Sequence, residues 1–124
     1  MLPKNQMVKA RKALESLYDG KCTITEYQKI QKENKSTAFK EVVVLENQPC
    51  RLSYQNITQT TQTESGSTLS QSVKVFIAPE IVVKPGSKLT ITQNQVTTEF
   101  QNSGQPAHYF THQEIVLELF KGWS

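Results

Sequence analysis

The sequence predicts a mainly β protein: a small antiparallel β-barrel with one short N-terminal α-helix and a long polar loop between two strands. Three observations predict it. Short runs that alternate apolar and polar residues recur from residue 21 to residue 120, punctuated by Pro, Gly and Asn. The one stretch with helical spacing lies before Gly20. Residues 53–72, SYQNITQTTQTESGSTLSQS, carry a single charge, Glu64, and only three large apolar or aromatic side chains, Tyr54, Ile57 and Leu69. The expected organisation is a helical segment over 1–20 and a barrel domain over 21–124, with its loop at 55–71.

Each element has a local reason. Over residues 5–18, Met7, Ala10, Leu14, Leu17 and Tyr18 fall on one helical face, while Lys9, Arg11, Lys12 and Glu15 fall elsewhere. Asn5 suits the helix start and Gly20 lies just past its end. A helix of about four turns is unstable alone and must pack on something. Residues 21–30 read as a strand, and the charged stretch 29–40 as a hairpin loop. Residues 39–45 form a second strand centred on Val42, Val43 and Val44, Pro49 ends the connection, and 50–54 resume extended structure. Residues 72–78 alternate, with Val73, Val75 and Ile77 opposed to Lys74 and Phe76, and 81–83 continue the run after Pro79. Lys84-Pro85-Gly86-Ser87 is a turn, since Pro presets φ and Gly supplies a positive φ. Residues 88–92 alternate with Leu89 and Ile91 inward, Asn94 marks a turn, 96–100 return, and 102–106 form a loop. The last strand, 114–120, sets Ile115, Leu117 and Leu119 against Val116 and Glu118.

Composition narrows the function classes. Hydrophobic residues make up 36% of 124, a small supply for one core, which predicts a chain that gains stability from neighbours in an assembly. Residues 1–40 hold nine Lys or Arg against four acids, a balance of +5, whereas 41–124 hold five against seven, a balance of −2. The asymmetry is mild beside that of nucleic-acid binders. The opening MLPKNQMVKARKALESLYDG lacks the apolar core of a signal peptide, and no run approaches a membrane span. The expectation is a soluble chain made in the cytoplasm, with no membrane partner and with Cys22 and Cys50 reduced.

Sites for chemistry are sparse. His108 and His112 have H-x3-H spacing, but the cysteines lie 28 residues apart, outside the usual zinc pattern. Cys22 and Cys50 are expected as small core residues, and His112 as a hydrogen-bonding residue at a strand entrance. Asp19 is the one Asp, and Glu26, Glu41, Glu46, Glu80, Glu99, Glu114 and Glu118 are spread over separate elements, so no carboxylate pair is marked for acid–base work. Gly86 and Gly104 are isolated and form no phosphate loop. The expectation is a protein with no catalytic, cofactor-binding or metal residues, and not an enzyme. A small barrel that binds nucleic acid through aromatics is the competing class. Its candidates are Tyr27, Phe39, Tyr54, Phe76, Phe100, Tyr109 and Phe110, most of which lie where a core would use them.

Residues 73–120, VKVFIAPEIVVKPGSKLTITQNQVTTEFQNSGQPAHYFTHQEIVLELF, preceded by NQPCRLSYQNI, resemble the head-completion proteins of tailed bacteriophages and prophages, also called head-closure or stopper proteins. The likeness lies in the strand 73–78, the element Ile81-x-Val83-x-Pro85-Gly86-Ser87-x-Leu89-x-Ile91, the strand 49–52 and the closing strand 112–120. It spans roughly residues 20–121 and carries no catalytic signature. The resemblance implies a ring of typically about twelve copies in the virion neck. Such a ring sits below a portal or adaptor protein, above a tail terminator or other tail-side protein, and around packaged DNA. It further implies that the polar tract faces the channel, through Thr58, Gln59, Thr60, Thr61, Gln62, Thr63, Glu64, Ser65, Gly66, Ser67 and Thr68. The basic helix, through Lys9, Arg11 and Lys12, is the expected docking element. Another tail component, such as a tail terminator, is a further alternative.

Overall fold

The computed structural model describes residues 4–58 and 69–123. Its elements are α1 (Lys4–Glu15), β1 (Gly20–Gln31), β2 (Thr37–Thr58), β3 (Leu69–Ile77), β4 (Lys88–Gln93), β5 (Val96–Asn102), β6 (Ala107–His108) and β7 (Gln113–Leu119). The sheet order is β3-β2-β1-β4-β5-β7-β6, and β3 also pairs with β7. Six strands therefore close into a hydrogen-bonded antiparallel ring, the barrel that the sequence predicts, with β6 as a short addition to β7.

The closure explains the core. Cys22 and Ile24 from β1, Cys50 and Leu52 from β2, Val75 and Ile77 from β3, Leu89 and Ile91 from β4, Phe100 from β5, and Ile115 and Leu117 from β7 are all buried in one cluster. Most strands supply an i, i+2 pair, as period-2 alternation requires when one face lines an interior. Val83 closes the cluster from the segment between β3 and β4. The two cysteines are free, as expected for core residues. Their mutual hydrogen bond and burial push the Cys22 thiol far up, which leaves it a protonated, unreactive packing group.

Turn chemistry follows the sequence. Gly86 has a φ of 83°, and Ser87 N–H donates to Lys84 C=O at 3.1 Å, the geometry of a Pro-Gly type II turn. Asn94 and Gln95 both have positive φ between the paired Gln93 and Val96, a two-residue hairpin turn of type I′. Gly20 is needed for space: a Cβ there would meet Cys50 O and Gln93 Oε1 at 3.1 Å. It opens β1 and does not cap the helix, which ends at Glu15.

Several expectations are corrected. Residues 29–40 do not form a loop: β1 runs to Gln31, β2 starts at Thr37, and only 32–36 turn, with Lys32 N–H bonded to Ser36 C=O at 2.8 Å. The lysines are tolerated because their heads stay in water along an exposed ribbon. Residues 39–45 and 50–54 are one strand. Pro49 pairs with Lys21 and lies before the start of the β2–β3 ladder at Cys50, so the missing N–H costs no bond on that side. Val44 and the Glu46–Asn47 step are bulges in the β1–β2 register, with Asn47 at φ 52°. Residues 81–83 are not a strand, since the backbone leaves the ladder at Ala78. The buried Gln113 amide donates instead to Ala78 C=O at 2.9 Å and to Ile81 C=O at 2.5 Å. Leu119 is 62% exposed because it lies past the closed part of the ring. The loop expected over 55–71 is strand at both ends, up to Thr58 and from Leu69. Of the candidate aromatics only Phe100 is buried, Phe76 is half-buried and the other five are exposed, because the interior is filled by aliphatic pairs.

A second glutamine also stands in for backbone. Gln93 Oε1 accepts the Leu52 N–H at 2.7 Å, and its Nε2 donates to Leu52 C=O at 3.4 Å, just where β1 no longer pairs with β2. Leu52 is itself buried, so its backbone has no ready water. Gln93→Leu is expected to cost about 1–3 kcal/mol, the range for a buried polar group left unpaired. Urea unfolding should show a lower midpoint at unchanged slope.

Candidate functional site

Three features project from the ring, and each follows from where a ladder stops. The first is a polar ribbon. β3 pairs with β7 only up to Val73↔Leu117, whereas it pairs with β2 from Ile77 out to Leu69. Four rungs, Gln55↔Ser72, Asn56↔Gln71, Ile57↔Ser70 and Thr58↔Leu69, therefore stand clear of the ring as a two-stranded ribbon. At about 3.3 Å per residue it extends roughly 13 Å. Residues 54–58 and 69–73 carry no charge. Thr58 is the last described residue of β2, paired with Leu69. The other expected channel residues, Gln59 to Thr68, lie outside the described residues.

The second feature is α1. It has no buried residue, and its half-buried face consists of Met7, Arg11, Leu14 and Glu15, continued past the helix by Tyr18. Ala10 and Leu17, expected on that face, are exposed. Arg11 is not a free docking residue: it bonds Glu15 at 2.5 Å and also pairs with Glu80 in the turn after β3. The Glu15 and Glu80 carboxylates raise the Arg11 pKa. Glu80 is held below its ordinary value by its own backbone N–H and then by Arg11. Lys9 and Lys12 remain exposed.

The third feature is an arm. β1 pairs with β4 only as far as Thr25↔Lys88, and six further rungs, Glu26↔Val42 to Gln31↔Thr37, join β1 to β2 alone. Two-stranded ribbons are marginal in water without added packing. That packing comes from residues 120–123. Trp123 stacks on Tyr27 with ring centroids 4.9 Å apart and 8° between planes, and Phe39 stacks on Tyr27 at 5.3 Å. Phe120 meets Trp123 edge-on at 4.9 Å. Trp123 Nε1 donates to Glu41 at 2.7 Å. Lys88 bridges Glu41 at 3.2 Å and Glu99 at 3.1 Å, and its ammonium lies over the Phe120 and Trp123 rings. The signal in the sequence was the single Trp three residues after Phe120 in an otherwise polar ending.

The histidines part company. His108 sits exposed on β6, while His112 is half-buried, stacked on Tyr109 at 4.8 Å and bonded to Glu114 at 2.9 Å and Thr111 at 3.0 Å. Glu114 also meets Lys74 at 3.6 Å. His112 thus makes the hydrogen bond expected of it at the entrance to β7.

No family model matches the chain, and no curated protein matches it. A solved structure with some likeness is that of XkdH, a protein of the phage-like element PBSX from Bacillus subtilis. It shares 13% identity, with 80% of this chain and 91% of that chain covered, at a TM-score of 0.46. A likeness of that degree fixes no function. Among the described residues, no helix is long and apolar enough to cross a membrane.

The Trp123 cluster has a pH signature. The Trp123 N–H first, and Lys88 second, hold the Glu41 carboxyl below its ordinary value of 4.5. Burial opposes the Lys88 charge, and the Glu99 and Glu41 bonds more than offset it. A carboxylate with a depressed pKa stabilises the fold above its ordinary value, and that contribution is lost as pH falls through the depressed one. Trp123 emission should therefore stay constant from pH 7 to pH 5 and change only on the acid side of 4.5, with circular dichroism tracking the fold. Glu41→Gln should abolish the transition.

Proposed function

We propose that this chain is a non-enzymatic structural protein of a phage or phage-like particle. In this reading it is a head–tail connector that forms a ring in the virion neck, below the portal or adaptor and above the tail-side protein. The observation that carries the reading is the uncharged ribbon of residues 55–58 and 69–72, which leaves a closed ring of strands. It adds to the sequence resemblance, which assigns the adjoining tract to a DNA channel. A segment that borders moving DNA must not grip it, and each lysine or arginine on a phosphate adds salt-dependent affinity. Ser, Thr, Gln and Asn line a passage without that grip. The ribbon edges also offer unpaired backbone groups, so ribbons of neighbouring copies are suited to pair and narrow the channel.

Exposed apolar residues support assembly. Val82, Val96, Leu119, Phe39 and Phe110 are each more than half exposed, which a neighbour in a ring would cover. Lys9 and Lys12 give α1 a basic outer face for an acidic docking partner.

The competing reading, a nucleic-acid-binding barrel, draws on the exposed aromatics. Yet Tyr27 is already stacked with both Phe39 and Trp123, and Tyr109 is stacked on His112. Bases stack on free ring faces. Binding of labelled single- and double-stranded DNA across a salt series separates the two readings. Tight binding with a steep salt slope by the monomer would favour the competing one.

Two outcomes test the connector. Replacing residues 59–68 by Asn-Gly, which closes Thr58 to Leu69 with a two-residue turn, should leave the fold and the assembled particle intact but release DNA from filled heads. Unchanged DNA retention would remove the channel role. Lys9→Glu with Lys12→Glu, which leaves the Arg11 bonds untouched, should block joining of heads and tails, and normal particle yield would remove the docking role.

A further inference from the structure

Beside a Lys84–Glu26 ion pair at 3.9 Å, the arm formed by residues 26–31 and 37–42 is held to the ring mainly at two places. One is its covalent base, where β1 and β2 leave the ladders. That base is weakened: Thr25 pairs with Val43 and Ile24 with Leu45, so Val44 is an unpaired bulge residue at the point of departure. Bulges bend a strand and interrupt its ladder, so this base is the natural place for the arm to pivot. The other place is the chain end.

We infer that residues 120–123 act as a strap that sets the angle of the β1–β2 arm against the ring, with Lys88 as its anchor. Trp123 touches both strands of the arm, by stacking on Tyr27 of β1 and by its bond to Glu41 of β2. The other end of the strap belongs to the ring. Phe120 N–H bonds Glu99 C=O of β5 at 3.1 Å, and Lys121 N–H reaches Gln101 Oε1 at 3.4 Å. Lys88, at the last β4 rung with β1, ties Glu41 of the arm to Glu99 of the ring under the Phe120 and Trp123 rings. Gly122 has a φ of 108°, which lets the tail turn between its ring contacts and its arm contacts and which other residues adopt only with strain. The strap does not depend on what the particle is, because every contact lies within one chain.

The inference concerns order and geometry, so it is tested by exchange. Amide hydrogen exchange is read on the full chain, on Trp123→Ala and on Glu41→Gln. Loss of one aromatic stack predicts faster exchange of residues 26–31 and 37–42, by about ten-fold in Trp123→Ala. Core amides such as those of Val75, Ile77 and Ile115 should keep their rates. Trp123→Phe should restore most of the protection, since it keeps a ring on Tyr27. Glu41→Gln, which keeps the fold and the aromatic stack, should give an intermediate increase confined to the arm. Equal arm exchange in the full chain and Trp123→Ala would overturn the inference. So would a rise spread evenly over arm and core in both variants, which would mark Trp123 and Glu41 as contributors to global stability alone.

Discussion

The pairing of β3 with β7 is the contact on which the rest of the structure depends. Its five rungs, Val73↔Leu117 to Ile77↔Gln113, convert an open run of strands into a ring. Without it the sheet would have two long edges and one face too apolar for water. With it, alternate residues of most strands meet inside, and small pairs such as Cys22 with Ile24 and Val75 with Ile77 suffice to fill the interior. A chain with so modest a supply of apolar residues has little else to spend on a core. Closure also sets where each ladder ends, because strands in a ring are staggered.

The functional features are consequences of that stagger. β2 is long enough to serve two partners in succession, β1 over its first part and β3 over its second. Each partner continues with β2 beyond the ring, so one strand carries an arm at one end and a ribbon at the other. The two are chemically distinct. The ribbon is uncharged and has no aromatic residue. The arm carries lysines and a ring stack, and it needs the chain end to hold it. The connector role proposed above calls for different surfaces toward neighbours and toward a channel, and the division along β2 would supply both.

Two glutamine amides mark the places where the ring is imperfect. Gln93 and Gln113 replace backbone partners where ladders end, at Leu52 and at Ala78 with Ile81. The Gln93 amide supplies a donor and an acceptor and the Gln113 amide two donors on one flexible stem, which suits a gap left by a strand that turns away. Neither was marked by any local pattern, since a glutamine in a strand ordinarily reads as an outward-facing residue.

The sequence alone determined which residues face inward on most strands and where the sharp turns fall. Alternation is a property of the strand itself, and Pro85-Gly86 and Asn94 carry their backbone preferences with them. It did not determine that Pro49 lies within a strand, that 29–40 is mostly paired, or that Tyr27 and Phe39 stand outside the core. Those depend on which strand lies alongside, and on which side of Pro49 the neighbour sits. Nor could periodicity join Trp123 to Tyr27 and Glu41, because those residues lie far apart in the sequence and meet only once the ring brings β4, β5 and residues 120–123 to the base of the arm. The polar tract was legible as a distinct segment from its composition. Tertiary structure decided that its flanks are paired strands, because the β2–β3 ladder continues past the last bond that β3 makes to β7.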